Sequence, residues 1–328
     1  MVEAWQSKIN DIPLNDHKHP HYHLKLNKAI DRLLFIDIIK AFSMHVNVHE
    51  QKHMYVGFGG PYLEDFRLLS TLFPEMKLIS LETDEETFKR QKFHKCSKKL
   101  KLHKNSFHEF LDETEIFDQY PVIIWLDYTD DRSNIEHLKE IETLCKKINS
   151  QSLIRITLDA NSCPSDNDFE QIYKEYLPSE IDKQKLTQNN SFAEIVCQMV
   201  KKAIYKGLKS DSLTFLPLHQ ARYRDGHHMV SITGIICEDG NNNYLEKIKE
   251  LCPYVNNEQK VDIIDIPSFT LKERLELEKH LPSLKKDGTM ISKKLRYMIG
   301  KDEDDNLRKC EQYEKYYQYY PHFTKIIP

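Results

Sequence analysis

Glycine is scarce in this chain, with nine residues in 328. Long apolar runs are missing too: none approaches the ~20 residues that a membrane-spanning helix needs, so no span is expected. The first residues lack the charged, apolar and small-residue succession of a signal peptide. The seven cysteines (Cys96, Cys145, Cys163, Cys197, Cys237, Cys252, Cys310) are scattered, odd in number and without a C-x-x-C pair. That pattern argues against a disulfide frame or a zinc site and suits reduced thiols in a cytoplasmic protein. A formal net charge of −4 does not advertise nucleic-acid binding, although it leaves room for a local basic patch. There are no internal repeats. Forty per cent apolar and thirty per cent charged residues describe a soluble globular protein. The length allows one large domain, or a core domain with an extension.

What glycine there is clusters. Gly57, Gly59 and Gly60 fall within four positions, directly after the apolar run Met54-Tyr55-Val56. A helix-like segment follows, then the apolar run Leu78-Ile79-Ser80-Leu81, which ends in Glu82. Strand, glycine turn, helix, strand and terminal acid make up half of a nucleotide-binding unit. Glycines let the backbone approach a ligand closely. The helix that follows aims its free N–H groups and positive dipole end the same way. A carboxylate at the end of the second strand can accept hydrogen bonds from both hydroxyls of a ribose. The plainer reading of the segment is a strand–turn–helix with no ligand.

Two nucleotide signatures fail. A dinucleotide fingerprint reads G-x-G-x-x-G, and Tyr62 stands at its third glycine. No stretch matches G-x-x-x-x-G-K-[ST]. The glycine turn instead resembles motif I of the class I S-adenosylmethionine (SAM) dependent methyltransferases, often written E/D-x-G-x-G-x-G. Gly57-Phe58-Gly59 fits the first two glycines, and Gly60 widens the turn. Tyr55 stands where that family usually has an acid, and Pro61 where it has the third glycine. Glu82 matches the ribose-binding acid. Asn105-Ser106 falls where the family meets the adenine ring. The run Pro121–Asp127, apolar on both faces like a buried parallel strand, resembles motif IV, whose terminal acid lies beside the methyl donor. Ser152–Leu158 reads as a fifth strand. Leu213–Tyr223 and Met229–Cys237, joined through Asp225-Gly226, read as a closing hairpin. The resemblance covers residues 24–240, and the lead-in segment before motif I looks like that of bacterial putative O-methyltransferases.

The resemblance implies an α/β, Rossmann-like fold: a mostly parallel seven-stranded sheet flanked by helices. A polar arm (1–23) would precede the methyltransferase domain (24–240), and a mainly helical extension (241–328) would follow it. It implies S-adenosyl-L-methionine as cofactor, bound by Gly57, Phe58, Gly59, Gly60, Glu82, Thr83, Asn105, Ser106 and Asp127. The implied reaction is O- or N-methylation of a small molecule, protein or RNA, with a partner protein also conceivable. Methyl transfer needs alignment of the acceptor and a base or carboxylate beside it. Asp127 is the first candidate, with Tyr128, Asp130 and Asp131 as neighbours; a structural cap is the plainer role for Asp127. Two other readings stay open: a catalytically degenerate binding or assembly module, one that could contact nucleic acid, and a Rossmann-type enzyme using NAD or another nucleotide.

Other features have two readings each. Lys28 and Arg32 lie at i, i+4 on the Lys25–Phe42 helix, either as cations for an acidic substrate group or as an exposed basic face. Lys89–Lys104 carries a lysine run, read as a solvated face or a phosphate track. His17, His19, His21 and His23 cluster in the arm, as a solvated or substrate-facing segment or as metal ligands. Asn161–Thr187 is long enough for a substrate-side lid. His227 and His228 are turn residues. Thr270-x-x-Glu273 is a capping box opening a helix. The tail residues Tyr313, Tyr316, Tyr317, Tyr319, Tyr320 and Phe323 dock a helix on the core or form a stacking platform.

Overall fold

A computed structural model describes residues 25–321, apart from 49–51, 129–133, 162–168, 180–185, 187–188, 241–242 and 256–259. The histidine cluster at 17–23, Asp130, Asp131 and Phe323 lie outside the described residues.

The polypeptide enters through α1 (Leu26–His45), whose Ile30, Leu34, Phe35, Ile38, Ile39 and Phe42 have no exposed surface. Spacings of three and four residues put those side chains on adjoining faces, and burying each one stabilises by about 1.5–3 kcal/mol. Its first turn lacks a cap of its own. Asp225 supplies one from the far end of the sheet, accepting from the backbone N–H of Lys28 at 2.8 Å and of Asn27 at 3.3 Å.

The first half of the chain alternates strands and helices. These are β1 (Met54–Gly57), α2 (Glu64–Leu72), β2 (Lys77–Leu81), α3 (Glu85–His94), β3 (Leu100–His103), α4 (Phe107–Glu113), α5 (Ile116–Gln119), β4 (Val122–Asp127), α6 (Asn134–Lys147) and β5 (Ser152–Asp159). Local signals set the boundaries: Asp84 caps α3 by accepting from Thr87 N at 2.8 Å, and Ser106 with Glu109 forms a capping box on α4. After the short α7 (Phe169–Ile172) and the long α8 (Asn189–Gly207) come β6 (Leu213–Arg224) and β7 (His228–Glu238). The turn between them is Asp225-Gly226-His227, with Gly226 at φ +113°.

The sheet order is β3-β2-β1-β4-β5-β7-β6-β8. All pairings are parallel except those of β7 with β5 and β6. The sheet has eight strands rather than the expected seven. The eighth, β8 (Asp262–Ile264), comes from the segment read as a mainly helical extension and pairs with Ala221–Tyr223 of β6. It covers backbone that the hairpin would leave unpaired at the edge.

Alternate residues along each strand face opposite layers. Tyr55, Ile123, Trp125 and Leu153 pack under α1 and α2, joined by Tyr244 and Ile248 of α9 (Asn243–Leu251). Val56, Ile124, Ile154 and Ile156 pack against α4, α6 and α8. A third cluster joins Ile30 and Leu34 of α1 to β8 and to α10 (Leu271–Glu278), α11 (Thr289–Leu295) and α12 (Glu303–Tyr316). Tyr313, Tyr316 and Tyr320 are buried there, so the aromatic tail docks on the core. Thr270 and Glu273 form their capping box at the start of α10. No helix among the described residues is long and apolar enough to cross a membrane.

Candidate active site

One cavity of about 380 Å³ opens beyond the carboxyl ends of β1, β2 and β4, the edge where open parallel sheets hold their ligands. Of the residues expected at the cofactor, it is lined by Phe58, Gly59, Gly60, Glu82, Thr83, Asn105, Ser106 and Asp127. Gly57 sits just behind, as the last residue of β1.

The glycine turn is held from two sides. Gly59 donates its N–H to Ser80 Oγ at 3.2 Å, and Gln91 donates to the Gly60 carbonyl at 3.0 Å. A Cβ on Gly59 would come within 2.4 Å of Leu63 Cδ2 and 2.6 Å of Ser80 Oγ. Gly60 has open space but a φ of +52°. The two glycines are thus required for different reasons, one steric and one conformational. Pro61, at the place of the family's third glycine, leads into a turn closed by Leu63 N–H to the Gly59 carbonyl at 3.0 Å.

Glu82 directly follows β2, with one carboxylate oxygen accepting from Asp84 N–H at 2.9 Å. Asn105 donates to Glu113 at 3.2 Å. The Ser106 hydroxyl is committed to its capping box with Glu109.

At the end of β4, Asp127 pairs with Lys28 of α1 at 2.7 Å. Its other oxygen, Oδ1, is enclosed and has no hydrogen-bond partner among the described residues. Four residues along α1, Arg32 pairs with Glu64 at 2.7 Å and lies over the Trp125 ring at 5.9 Å. Lys28 and Arg32 are therefore buried, at 4% and 8% exposure, and not the solvated face that their spacing also allowed. Below them, fully buried Arg155 of β5 pairs with Asp31 and donates to Thr233 at 2.6 Å and Ser231 at 3.0 Å. This bridge ties α1, and with it Lys28 and Arg32, to the centre of the sheet.

Tyr128, expected beside the acceptor, is occupied elsewhere. Its hydroxyl donates to Glu140 of α6 at 2.6 Å, and its ring stacks on His137 with centroids 3.8 Å apart. Burial, then the Glu140 charge, pushes its phenol well above the usual range. Burial likewise raises the Glu140 carboxyl. The Tyr128 phenol serves here as a hydrogen-bond donor and as part of the cavity wall.

Tyr55, at the place of the family's acid, points its hydroxyl at Asp65 of α2 and hydrogen-bonds it. Asp65 is 6% exposed and lines the cavity. Burial pushes its carboxyl up to about 6, against the opposing pull of Arg32 and Tyr55. Sequence reasoning missed Asp65, Glu64, Trp125, His137 and Glu140. Glu64, Asp65, His137 and Glu140 carry no motif or spacing that singles them out in the sequence.

The donor set fits an S-adenosyl nucleoside. The glycine-turn backbone of Gly59 and Gly60, the carboxylates of Glu64, Asp65, Glu82 and Asp127, and the apolar side chains of Leu81 and Phe107 line one cavity. Fold and site together define a class I SAM-dependent methyltransferase. The family model described as putative O-methyltransferase matches residues 20–328, and the chain belongs to that family.

No curated protein is similar to the chain in sequence. Among solved structures, a putative O-methyltransferase from Klebsiella pneumoniae is 12% identical with a TM-score of 0.35, over 71% of this chain and 96% of that one. The plantazolicin methyltransferase BpumL in complex with SAH is 10% identical with a TM-score of 0.39, over 63% and 84%. Similarity this remote says nothing about the acceptor.

Proposed function

We propose that this protein transfers the methyl group of SAM to an oxygen or nitrogen nucleophile, with Asp127 facing the acceptor. The observation that carries the proposal is Asp127 itself: at the end of β4, the strand beside the one that leads into the glycine turn, it has one oxygen held by Lys28 and the other enclosed without a partner among the described residues. When bound, SAM supplies an activated methyl group on a sulfonium. The chain then needs chiefly to align the acceptor and exclude water.

Gly57–Gly60 form the cradle, Glu82 and Thr83 take the ribose side, and Asn105 and Ser106 stand at the adenine end. Phe58 packs edge-on against Tyr128 at 5.4 Å, closing the wall beside the donor. Lys28 fixes Asp127 Oδ2, so Oδ1 is the oxygen left to orient an acceptor hydroxyl or amine and take up its proton. Asp130 remains a candidate neighbour. The acceptor is a small molecule, a protein side chain or RNA. Lys89, Lys99 and Lys104 of the 89–104 run form ion pairs at the surface with Glu86, Glu75 and Glu85. That arrangement supports a solvated face over a phosphate track.

Pro61 and Tyr55 favour one rival, a methyltransferase-like assembly module that binds no cofactor. Calorimetric titration with SAM separates the two readings. Wild-type protein stripped of cofactor should bind, and Glu82→Ala should lose at least about tenfold in affinity, the size of a lost charge-assisted hydrogen bond of about 1.5–3 kcal/mol. A folded wild type that binds neither SAM nor S-adenosylhomocysteine would leave the assembly module standing.

A further inference from the structure

The α1–α2 wall of the cavity holds an uneven set of charges. Three buried cations of α1 and of the strand beneath it each have a carboxylate: Lys28 with Asp127, Arg32 with Glu64, and Arg155 with Asp31. Asp65 is a fourth carboxylate. Its hydrogen-bonding side chain is the neutral Tyr55 phenol, and no cation among the described residues lies within ion-pair distance of it. Burying an unmatched carboxylate is costly, and cheaper side chains would fill the space. The Nε of Arg32, on the same wall, is enclosed with no hydrogen-bond partner among the described residues.

We infer that Arg32, Glu64 and Asp65 form the subsite for the amino-acid end of the cofactor, and that Asp65 makes this subsite select the cationic donor over its neutral product. The inference rests on the cofactor reading proposed above. SAM carries a sulfonium, an ammonium and a carboxylate, a net charge of +1. S-adenosylhomocysteine keeps the ammonium and carboxylate but has a neutral thioether. The carboxylate common to both suits Arg32, and the ammonium common to both suits Glu64. The additional positive charge of SAM is what Asp65 lacks. Methyl transfer removes that charge as the S–CH3 bond breaks and its electron pair stays on sulfur, so the attraction ends when the reaction does and the product leaves more readily.

In this arrangement the acid missing from position 55 is replaced from the neighbouring helix. Tyr55 occupies the strand position and reaches out with a hydroxyl, and Asp65 completes the pair. Arg32 and Asp65 then have separable jobs, one reading a group that both ligands share and the other reading the group that differs.

The test is calorimetric titration of the full chain with SAM, S-adenosylhomocysteine and 5′-methylthioadenosine, which has the nucleoside and thioether but no amino-acid end. Asp65→Asn should weaken SAM about tenfold and leave S-adenosylhomocysteine within about twofold, since one charge–charge interaction across a partly screened site is lost. Arg32→Gln should weaken SAM and S-adenosylhomocysteine equally and leave methylthioadenosine unchanged. Thermal melts confirm that each variant is folded. If Asp65→Asn proves unstable, Tyr55→Phe takes its place: loss of the phenol leaves Asp65 without its donor and should shrink the SAM preference. Equal losses for SAM and S-adenosylhomocysteine in Asp65→Asn, or none for either, overturn the inference while the cofactor reading stands. A wild type that binds none of the three ligands overturns both.

Discussion

Arg155→Met should be among the most damaging single changes outside the cavity lining. Both Arg155 and its partner Asp31 are fully buried. The substitution keeps much of the side-chain volume but removes the charge. Hydrogen bonds to Thr233 and Ser231 go with it, as does the guanidinium's stacking with Phe35 at 5.0 Å and Trp125 at 5.2 Å. Asp31 then keeps the side-chain donor Ser231 Oγ, at 2.9 Å, against the full cost of a buried charge. Removing one member of a buried pair costs about 3–5 kcal/mol. Domain stabilities are about 5–15 kcal/mol, so the variant should sit near the edge of folding. At about 2–4 °C per kcal/mol, its Tm should fall by about 10 °C. Urea denaturation followed by tryptophan fluorescence reads the loss directly. The double variant Asp31→Asn/Arg155→Met should recover at least about 2 kcal/mol, because it removes the orphaned charge. A loss under about 1 kcal/mol in Arg155→Met, or a double variant as unstable as the single, would refute the reasoning. Because the pair anchors α1, the single variant should also bind SAM more weakly through displaced Lys28 and Arg32.

Asp65 should show the opposite sign in stability. In the folded protein its carboxyl is pushed up to about 6, above the usual Asp value of about 4, so the penalty is absent below pH 4 and complete above pH 6. Asp65→Asn should therefore be about 2–3 kcal/mol more stable than wild type at pH 8 and equal to it at pH 4; equal stability at pH 8 sinks the argument. In the glycine turn, Gly59→Ala should cost about 1–3 kcal/mol by overpacking against Leu63 and Ser80. Gly60→Ala should cost about 1 kcal/mol through its backbone angle alone, and denaturation midpoints in the reverse order would contradict this. Glu140→Gln should leave the fold intact and make the Tyr128 phenol easier to ionise, since a charge that opposes its ionisation is gone. An unchanged ultraviolet titration of the tyrosines would contradict the Tyr128–Glu140 coupling.

Much of the sheet was legible because its signals are local. Apolar runs gave β1, β2, β4 and β5. Asp225-Gly226 gave the hairpin, and Thr270 with Glu273 gave the start of α10. The glycine cluster and Glu82 marked the cavity because a strand, a turn and a terminal acid follow one another directly in the chain. The backbone carries both Asp127 and Tyr128 to the cavity, but the partner of the Tyr128 phenol, Glu140, sits on a helix whose docking no local pattern records. Strand β8 lies in the segment read as a mainly helical extension. Its place in the sheet was not legible, since that depends on which edge of β6 the hairpin leaves open.

The sequence by itself determined the alternating architecture, the strand–glycine–helix cradle, the acid at the end of β2 and the acid at the end of β4. Periodicity, glycine and capping residues act over a few neighbours, and their consequences can be read in one dimension. Only the tertiary structure decided which charge meets which: Lys28 with Asp127, Arg32 with Glu64, Arg155 with Asp31, and Asp65 with a phenol in place of a cation. Those pairings depend on how α1 and α2 dock against strands far away in the chain. In a buried wall a carboxylate's character is set by the one or two groups within a few ångströms of it.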